Sequence, residues 1–131
     1  MVDAFQRDWF FVGTLGVGAL YGLGGIVHLG NMFGFGEVQW SESPLSWKIG
    51  DIWWGVLDIA TVVGIIGKSP YGLLALILAA GSQVVVCSLT PELFAVTAEQ
   101  RTTLQGLVYF NAAVLIVLGL ALYGTTRDGG T

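Results

Sequence analysis

Apolar residues dominate four stretches of the chain, Trp9 to Phe33, Ile49 to Ile66, Tyr71 to Leu89 and Thr102 to Gly124, and polar residues gather between them. Each stretch is close to the roughly 20 residues that an α-helix needs to cross the hydrocarbon of a bilayer. A membrane β-barrel would show short strands alternating apolar and polar residues. The run Leu73-Leu74-Ala75-Leu76-Ile77-Leu78-Ala79-Ala80 is instead apolar on every side. With no water in the bilayer core to bond free peptide groups, helices remain as the spanning structure. The pattern therefore predicts an all-α fold, a polytopic up-and-down bundle of four transmembrane helices forming one domain over residues 1–131.

The breaks between the runs carry helix-end chemistry. In Gly67-Lys68-Ser69-Pro70, Ser69 is placed to cap the third helix and Pro70 to occupy its first position, where a missing N–H costs nothing. The second and third helices are thus expected to form an antiparallel hairpin. Gly34 to Lys48 mixes Glu37, Glu42 and Pro44 with Trp40 and Trp47, a combination suited to the headgroup layer. Ahead of the fourth run, Thr97 and Gln100 have the spacing of a capping box, which predicts that this helix starts outside the lipid. Asp128 to Thr131 reads as a loose tail.

Composition agrees with the pattern. Of 131 residues, 54% are hydrophobic and 11% charged, against about 25% charged in soluble domains. That excludes a soluble enzyme and a disordered tail. Nine acidic and five scattered basic residues leave no polybasic patch, which excludes a nucleic-acid binder. Arg7, Lys68 and Arg127 lie on the side of the termini and Lys48 and Arg101 on the other, so the positive-inside rule points to cytoplasmic termini. The first run is too long for a signal-peptide core and reads as a permanent helix. The single cysteine, Cys87, has no partner for an internal disulfide,.

Within the first helix, Gly18-Ala19-Leu20-Tyr21-Gly22 is a G-x-x-x-G packing motif,, expected to meet the protein's own second or fourth helix in preference to another subunit. His28, the one histidine, follows Gly24 and Gly25 by four and three residues on the same face,. Those glycines would leave room for a planar macrocycle whose metal takes the imidazole as axial ligand, a chlorophyll or a haem; the plainer role is a hydrogen bond to another helix. Asp58 falls mid-span in the second helix, where an ionised carboxylate costs at least ~2.5 to 3.5 kcal/mol. It is expected to be protonated, paired or in contact with water. Asp51, Trp54, Asp58 and Thr61 form one polar stripe at helical spacing, either a proton relay or ligand handle, or a structural hydrogen bond from Asp58 to Asn111, Gln83 or His28. Gln83 and Asn111 read as interhelical glue. One His and one Cys on different helices fall short of a metal site. The five tryptophans, Trp9, Trp40, Trp47, Trp53 and Trp54, read as interfacial anchors, with Trp53 or Trp54 available to stack on a ligand.

Taken together, Tyr21-Gly22-Leu23-Gly24-Gly25-Ile26-Val27-His28-Leu29, Gly55-Val56-Leu57-Asp58-Ile59-Ala60-Thr61-Val62-Val63-Gly64 and the hairpin through Lys68-Ser69-Pro70-Tyr71 resemble the DoxX-like small membrane proteins over most of the chain. The resemblance implies a four-helix bundle, an acid in the second helix at Asp58, and for some relatives a partnership with quinone-linked oxidoreductases.

Too small and too poor in titratable groups to run a reaction, the chain is expected to be a non-catalytic accessory subunit. It would sit in a larger bioenergetic complex, such as a photosystem, in a bacterial inner or thylakoid-type membrane. There it would pack at a subunit seam and help to hold chlorophyll, carotenoid or lipid. Two alternatives stand beside this: a DoxX-like oxidoreductase component binding quinone near Asp58, with His28 or Tyr21 as a second contact, and a small oligomeric transporter.

Overall fold

A computed structural model describes residues 3–127; the tail expected over Asp128 to Thr131 lies outside them. Four long helices carry the fold: α1 (Asp8–Met32), α2 (Leu45–Ile66), α3 (Pro70–Leu89) and α4 (Ala98–Arg127). A short 3-10 turn, Asp3–Gln6, precedes α1, and another, Pro91–Leu93, lies between α3 and α4. Among the described residues there is no strand. All four helices are long and apolar enough to cross a membrane. Their outward faces are apolar too, with Leu23, Ile26, Val56, Ile116 and Leu120 half or more exposed. Such a surface suits acyl chains and would aggregate in water. The chain is an integral membrane four-helix protein.

Helices adjacent in sequence pack side by side, α1 on α2, α2 on α3 and α3 on α4. The start of α1, the end of α4 and the turn at residues 67–69 share one end of the bundle, and the connections 33–44 and 90–97 share the other. Ser69 caps α3, its Oγ accepting from the Tyr71 N–H at 3.3 Å, with Pro70 at the first helical position. Lys68 takes the left-handed conformation that closes the turn (φ 51°) and lays its ammonium 4.4 Å from the centre of the Phe11 ring. Thr97 and Gln100 make the reciprocal capping box: the Thr97 N–H donates to Gln100 Oε1 at 3.1 Å and the Gln100 N–H to Thr97 Oγ1 at 3.2 Å.

Two boundaries differ from the apolar runs. Helix α2 starts at Leu45 rather than Ile49, because Pro44, which lacks an N–H, supplies the entry geometry and Ser46, Trp47 and Lys48 form the first turn. At 22 residues the second helix is roughly 33 Å long. Helix α4 runs for 30 residues, roughly 45 Å, half as long again as the hydrocarbon core. Its first turns carry Glu99, Arg101, Thr102 and Thr103, all exposed.

One further element escaped the apolar pattern. Ala4 and Phe5 are buried, and the Phe5 ring meets Phe10 and Phe11 edge-on. The N-terminal turn thereby closes the termini end of the core that Phe10, Leu73, Leu76, Ala80 and Leu118 build.

Candidate functional site

The seam between α1 and α2 sets the site. Because α1 offers glycine at one position after another, α2 comes in close and the two run antiparallel in a fixed register. A Cβ on Gly18 would lie 3.3 Å from Ile65, one on Gly22 3.3 Å from Val62, and one on Gly25 3.3 Å from the Asp58 Cβ. Gly55 of α2 returns the favour, its absent Cβ standing 3.3 Å from the His28 Cβ. The Gly18/Gly22 motif is thus spent on the protein's own second helix. The same register corrects the clearance assigned to Gly24 and Gly25. Asp58 Oδ2 lies only 2.8 Å from where a Gly24 Cβ would be, and Gly25 faces Asp58, Ile59 and the Gly55 carbonyl. Helix α2 fills the space, so a planar macrocycle does not fit over these glycines.

One turn further along, the register brings His28 and Asn31 of α1 to Asp51 of α2. His28 Nδ1 lies 2.8 Å from Asp51 Oδ1, and Asn31 Nδ2 donates to the same oxygen at 3.0 Å. An oxygen that accepts from an amide acts as an acceptor toward the ring as well, so Nδ1 carries the proton and donates. The imidazole and carboxylate side chains are 17% and 12% exposed. No hydrogen bond to His28 Nε2 occurs among the described residues.

This pair opens into a cavity of about 650 Å³ at the loop end of the bundle, between α1, α2, the end of α3 and the start of α4. Trp54 forms its inner wall, 6.2 Å centre to centre from the His28 ring and 5.4 Å from Phe94. Trp54 is buried and its Nε1 donates to Ser82 Oγ at 3.1 Å, so it is a pocket residue and not a headgroup anchor. Trp53 is half exposed and reaches the same hydroxyl from outside. Gly50 makes room for this wall, since a Cβ there would sit 2.6 Å from the Trp54 ring and 3.2 Å from Phe94. Leu93 ties the 90–97 connection to α2, its carbonyl accepting from Ser46 Oγ at 2.7 Å and Trp47 Nε1 at 3.0 Å. Gln83 and Cys87 of α3 and Leu104 of α4 complete the enclosure. Cys87 is buried, and no cationic side chain is among the lining residues.

Behind the cavity runs a buried polar chain. The Tyr21 hydroxyl donates to Asn111 Oδ1 at 2.5 Å, and Asn111 Nδ2 donates to Gln83 Oε1 at 2.6 Å and to the Leu107 carbonyl at 2.8 Å. These contacts join α1, α3 and α4, as expected of interhelical glue.

Asp58 stands apart from that chain. It is buried, yet none of the expected partners, Asn111, Gln83 or His28, bonds to it, since each is committed elsewhere. Its neighbours are the glycines of α1, and Tyr21 is within electrostatic reach. The stripe Trp54, Asp58, Thr61 does face the interior, and the Thr61 hydroxyl, fully buried, also lacks a partner among the described residues. An isosteric, uncharged Asp58→Asn is therefore expected to leave the bundle at least as stable as the wild type, because it removes a charge that lipid disfavours and breaks no hydrogen bond. The thermal midpoint in detergent measures this, and a clear fall would reveal a partner specific to the carboxylate.

Sequence reasoning singled out His28, Trp54 and Gln83, and the structure brings these three to one cavity. It missed Asp51 as the partner of His28, and it missed Asn31, Gly50 and Phe94. Gly24, Gly25 and Asp58 belong to the helix seam instead. Among the described residues no group of three potential metal ligands occurs. The fold and the cavity define an integral membrane bundle with a polar, aromatic-walled pocket at one end. No family model, curated protein or solved structure matches the chain.

Proposed function

We propose that the protein is a non-catalytic membrane subunit that holds a neutral, ring-bearing lipid of the quinone class in the cavity at His28 and Asp51. The observation that carries this reading is the cavity's make-up: an aromatic wall at Trp54 and Phe94, apolar side chains such as Val27 and Leu104, and hydrogen-bonding groups at His28, Asn31, Asp51 and Gln83. Sites for amphipathic rings combine apolar and aromatic walls with placed polar groups. The quinone reading thereby moves from Asp58 to the loop end of the bundle. The resemblance to DoxX-like proteins and their quinone-linked partners supports the same class of ligand. So does the absence of cationic lining residues, which leaves the pocket unsuited to anionic headgroups,.

In this reading the subunit sits in a bacterial inner or thylakoid-type membrane within a larger bioenergetic complex. Its termini are cytoplasmic, by the weight of Arg7, Lys68 and Arg127 at their end, and the cavity opens toward the opposite face. The outer surfaces of α4, largely exposed along their length, are available for association with neighbours.

The reading is tested by titrating the detergent-solubilised protein with a decyl-substituted 1,4-benzoquinone. Saturable quenching of tryptophan fluorescence is expected. Leu104→Trp, which fills the cavity from α4, is expected to abolish saturation while leaving the thermal midpoint near that of the wild type. Quenching that stays linear with concentration in the wild type would refute the site. Migration of the native protein alone, with no companion in gently solubilised membranes, would refute the accessory role.

A further inference from the structure

Resting on that reading of the cavity, we infer that the pocket recognises its ligand through a hydroxyl group, so that the reduced, hydroquinone form binds in preference to the oxidised quinone. The argument is one of hydrogen-bond polarity, and two fixed points decide it. The first is Asp51. Its Oδ1 accepts from Asn31 and from His28 Nδ1, so a neutral imidazole must present its other nitrogen, Nε2, as a lone-pair acceptor. That nitrogen has no protein partner among the described residues, and His28 lines the cavity.

The second fixed point is the backbone carbonyl of Leu107, which can only accept. It identifies the Asn111 nitrogen as the atom facing it, and that same nitrogen donates to Gln83 Oε1. The Asn111 oxygen is in turn occupied by the Tyr21 hydroxyl. With its oxygen bound inward, Gln83 has its Nε2 donor left over, and Gln83 too lines the cavity. The pocket therefore offers one acceptor from α1 and one donor from α3.

A hydroxyl both donates and accepts, and it satisfies either group. A quinone carbonyl only accepts. It suits the Gln83 amide but sets a lone pair against the lone pair of His28 Nε2, which then stays unpaired in a partly desolvated site. An unmade hydrogen bond of that kind is enough for a preference of about fivefold or more. Glu37, Asp51 and Glu99 at the cavity, with no cation beside them, bias the site further against a deprotonated, anionic ligand.

Ligand binding itself supplies a readout, since a ligand that binds only the folded protein protects it from unfolding. Protection from thermal unfolding would be titrated with the decyl-substituted hydroquinone and with the matching quinone, under argon, on the same solubilised protein. The hydroquinone is expected to protect at about one fifth of the concentration or less. His28→Leu should bring the two forms to equal affinity, whereas Gln83→Leu should weaken both together. Equal protection by the two forms in the wild type, or preference for the quinone, overturns the inference and leaves the pocket standing. A preference retained in His28→Leu also overturns it. Protection by neither form overturns the inference and the quinone-class site together.

Discussion

Gly64→Leu is expected to destroy the packing of α2 on α3, at a cost of about 3 kcal/mol or more, the upper end of what overpacking exacts. The hypothetical Cβ of Gly64 lies 2.3 Å from the Gly72 Cα and 2.5 Å from its nitrogen, and that of Gly72 lies 2.5 Å from the Gly64 carbonyl carbon. These neighbours are main-chain atoms near the ends of two helices, so no rotamer change relieves the clash. The hairpin would have to spread and withdraw Ile65 and Leu73, both buried. Loss of a monodisperse peak in mild detergent, and a thermal midpoint lowered by many degrees, would register the effect. Gly119→Ala and Gly13→Ala serve as controls, because nothing lies within 4 Å of either position, and both should match the wild type. A Gly64→Leu protein that also matched it would show that the two helices do not meet at these glycines.

Asn111→Leu should be the most damaging single change of a polar residue. Asn111 is 1% exposed and bonds to Tyr21, Gln83 and its own helix at Leu107. Interhelical hydrogen bonds in membrane proteins are modest, averaging about 0.6 kcal/mol with a maximum near 1.7. Two are lost here at once, and the buried Tyr21 hydroxyl and the half-buried Gln83 carbonyl are left without protein partners. A total of about 2–3 kcal/mol follows. The loss falls on α4, which packs side by side with α3 and meets α1 at Tyr21 through Asn111 and Phe110. Denaturant unfolding in micelles should show the midpoint fall, and protease sensitivity should rise first in α4. Asn111→Asp, acceptor-only when ionised, should fall at least as far as leucine, because a carboxylate in the span costs at least ~2.5 to 3.5 kcal/mol and would face the Gln83 and Leu107 oxygens. Equal stability of all three proteins would mean that the chain Tyr21–Asn111–Gln83 contributes nothing.

Much of the architecture is open to a reader of the sequence. Four apolar runs of spanning length imply four helices because lipid leaves the backbone no other way to bond, and that constraint acts on each run separately. Ser69 with Pro70, and Thr97 with Gln100, mark helix starts for an equally local reason: a cap is made by residues within three positions of the end it closes. His28, Trp54 and Gln83 stand out as polar or amphipathic groups in apolar runs. Their presence is anomalous whatever surrounds them.

What eluded the sequence depends on register between helices. Nothing local says that Gly18 meets Ile65 and Gly25 meets Asp58, yet once that register holds, Asn31 and His28 must reach Asp51 one turn on. The glycines ahead of His28 look like clearance for a ligand when helix α1 is taken alone. With α2 in place they are the surface on which it rests. A hydrogen bond from Asp58 to Asn111, Gln83 or His28 is one of the roles its sequence allows, but each of those has another partner, and a competition among side chains from four helices has no signature in any one of them. Sequence by itself settled the solvent, the helix count and the capped starts of α3 and α4, since these follow from transfer free energy and short-range backbone bonding. Tertiary structure alone decided which polar residues share a cavity and which lie in a seam, because close approach between distant segments is set by packing and not by any residue's own preference.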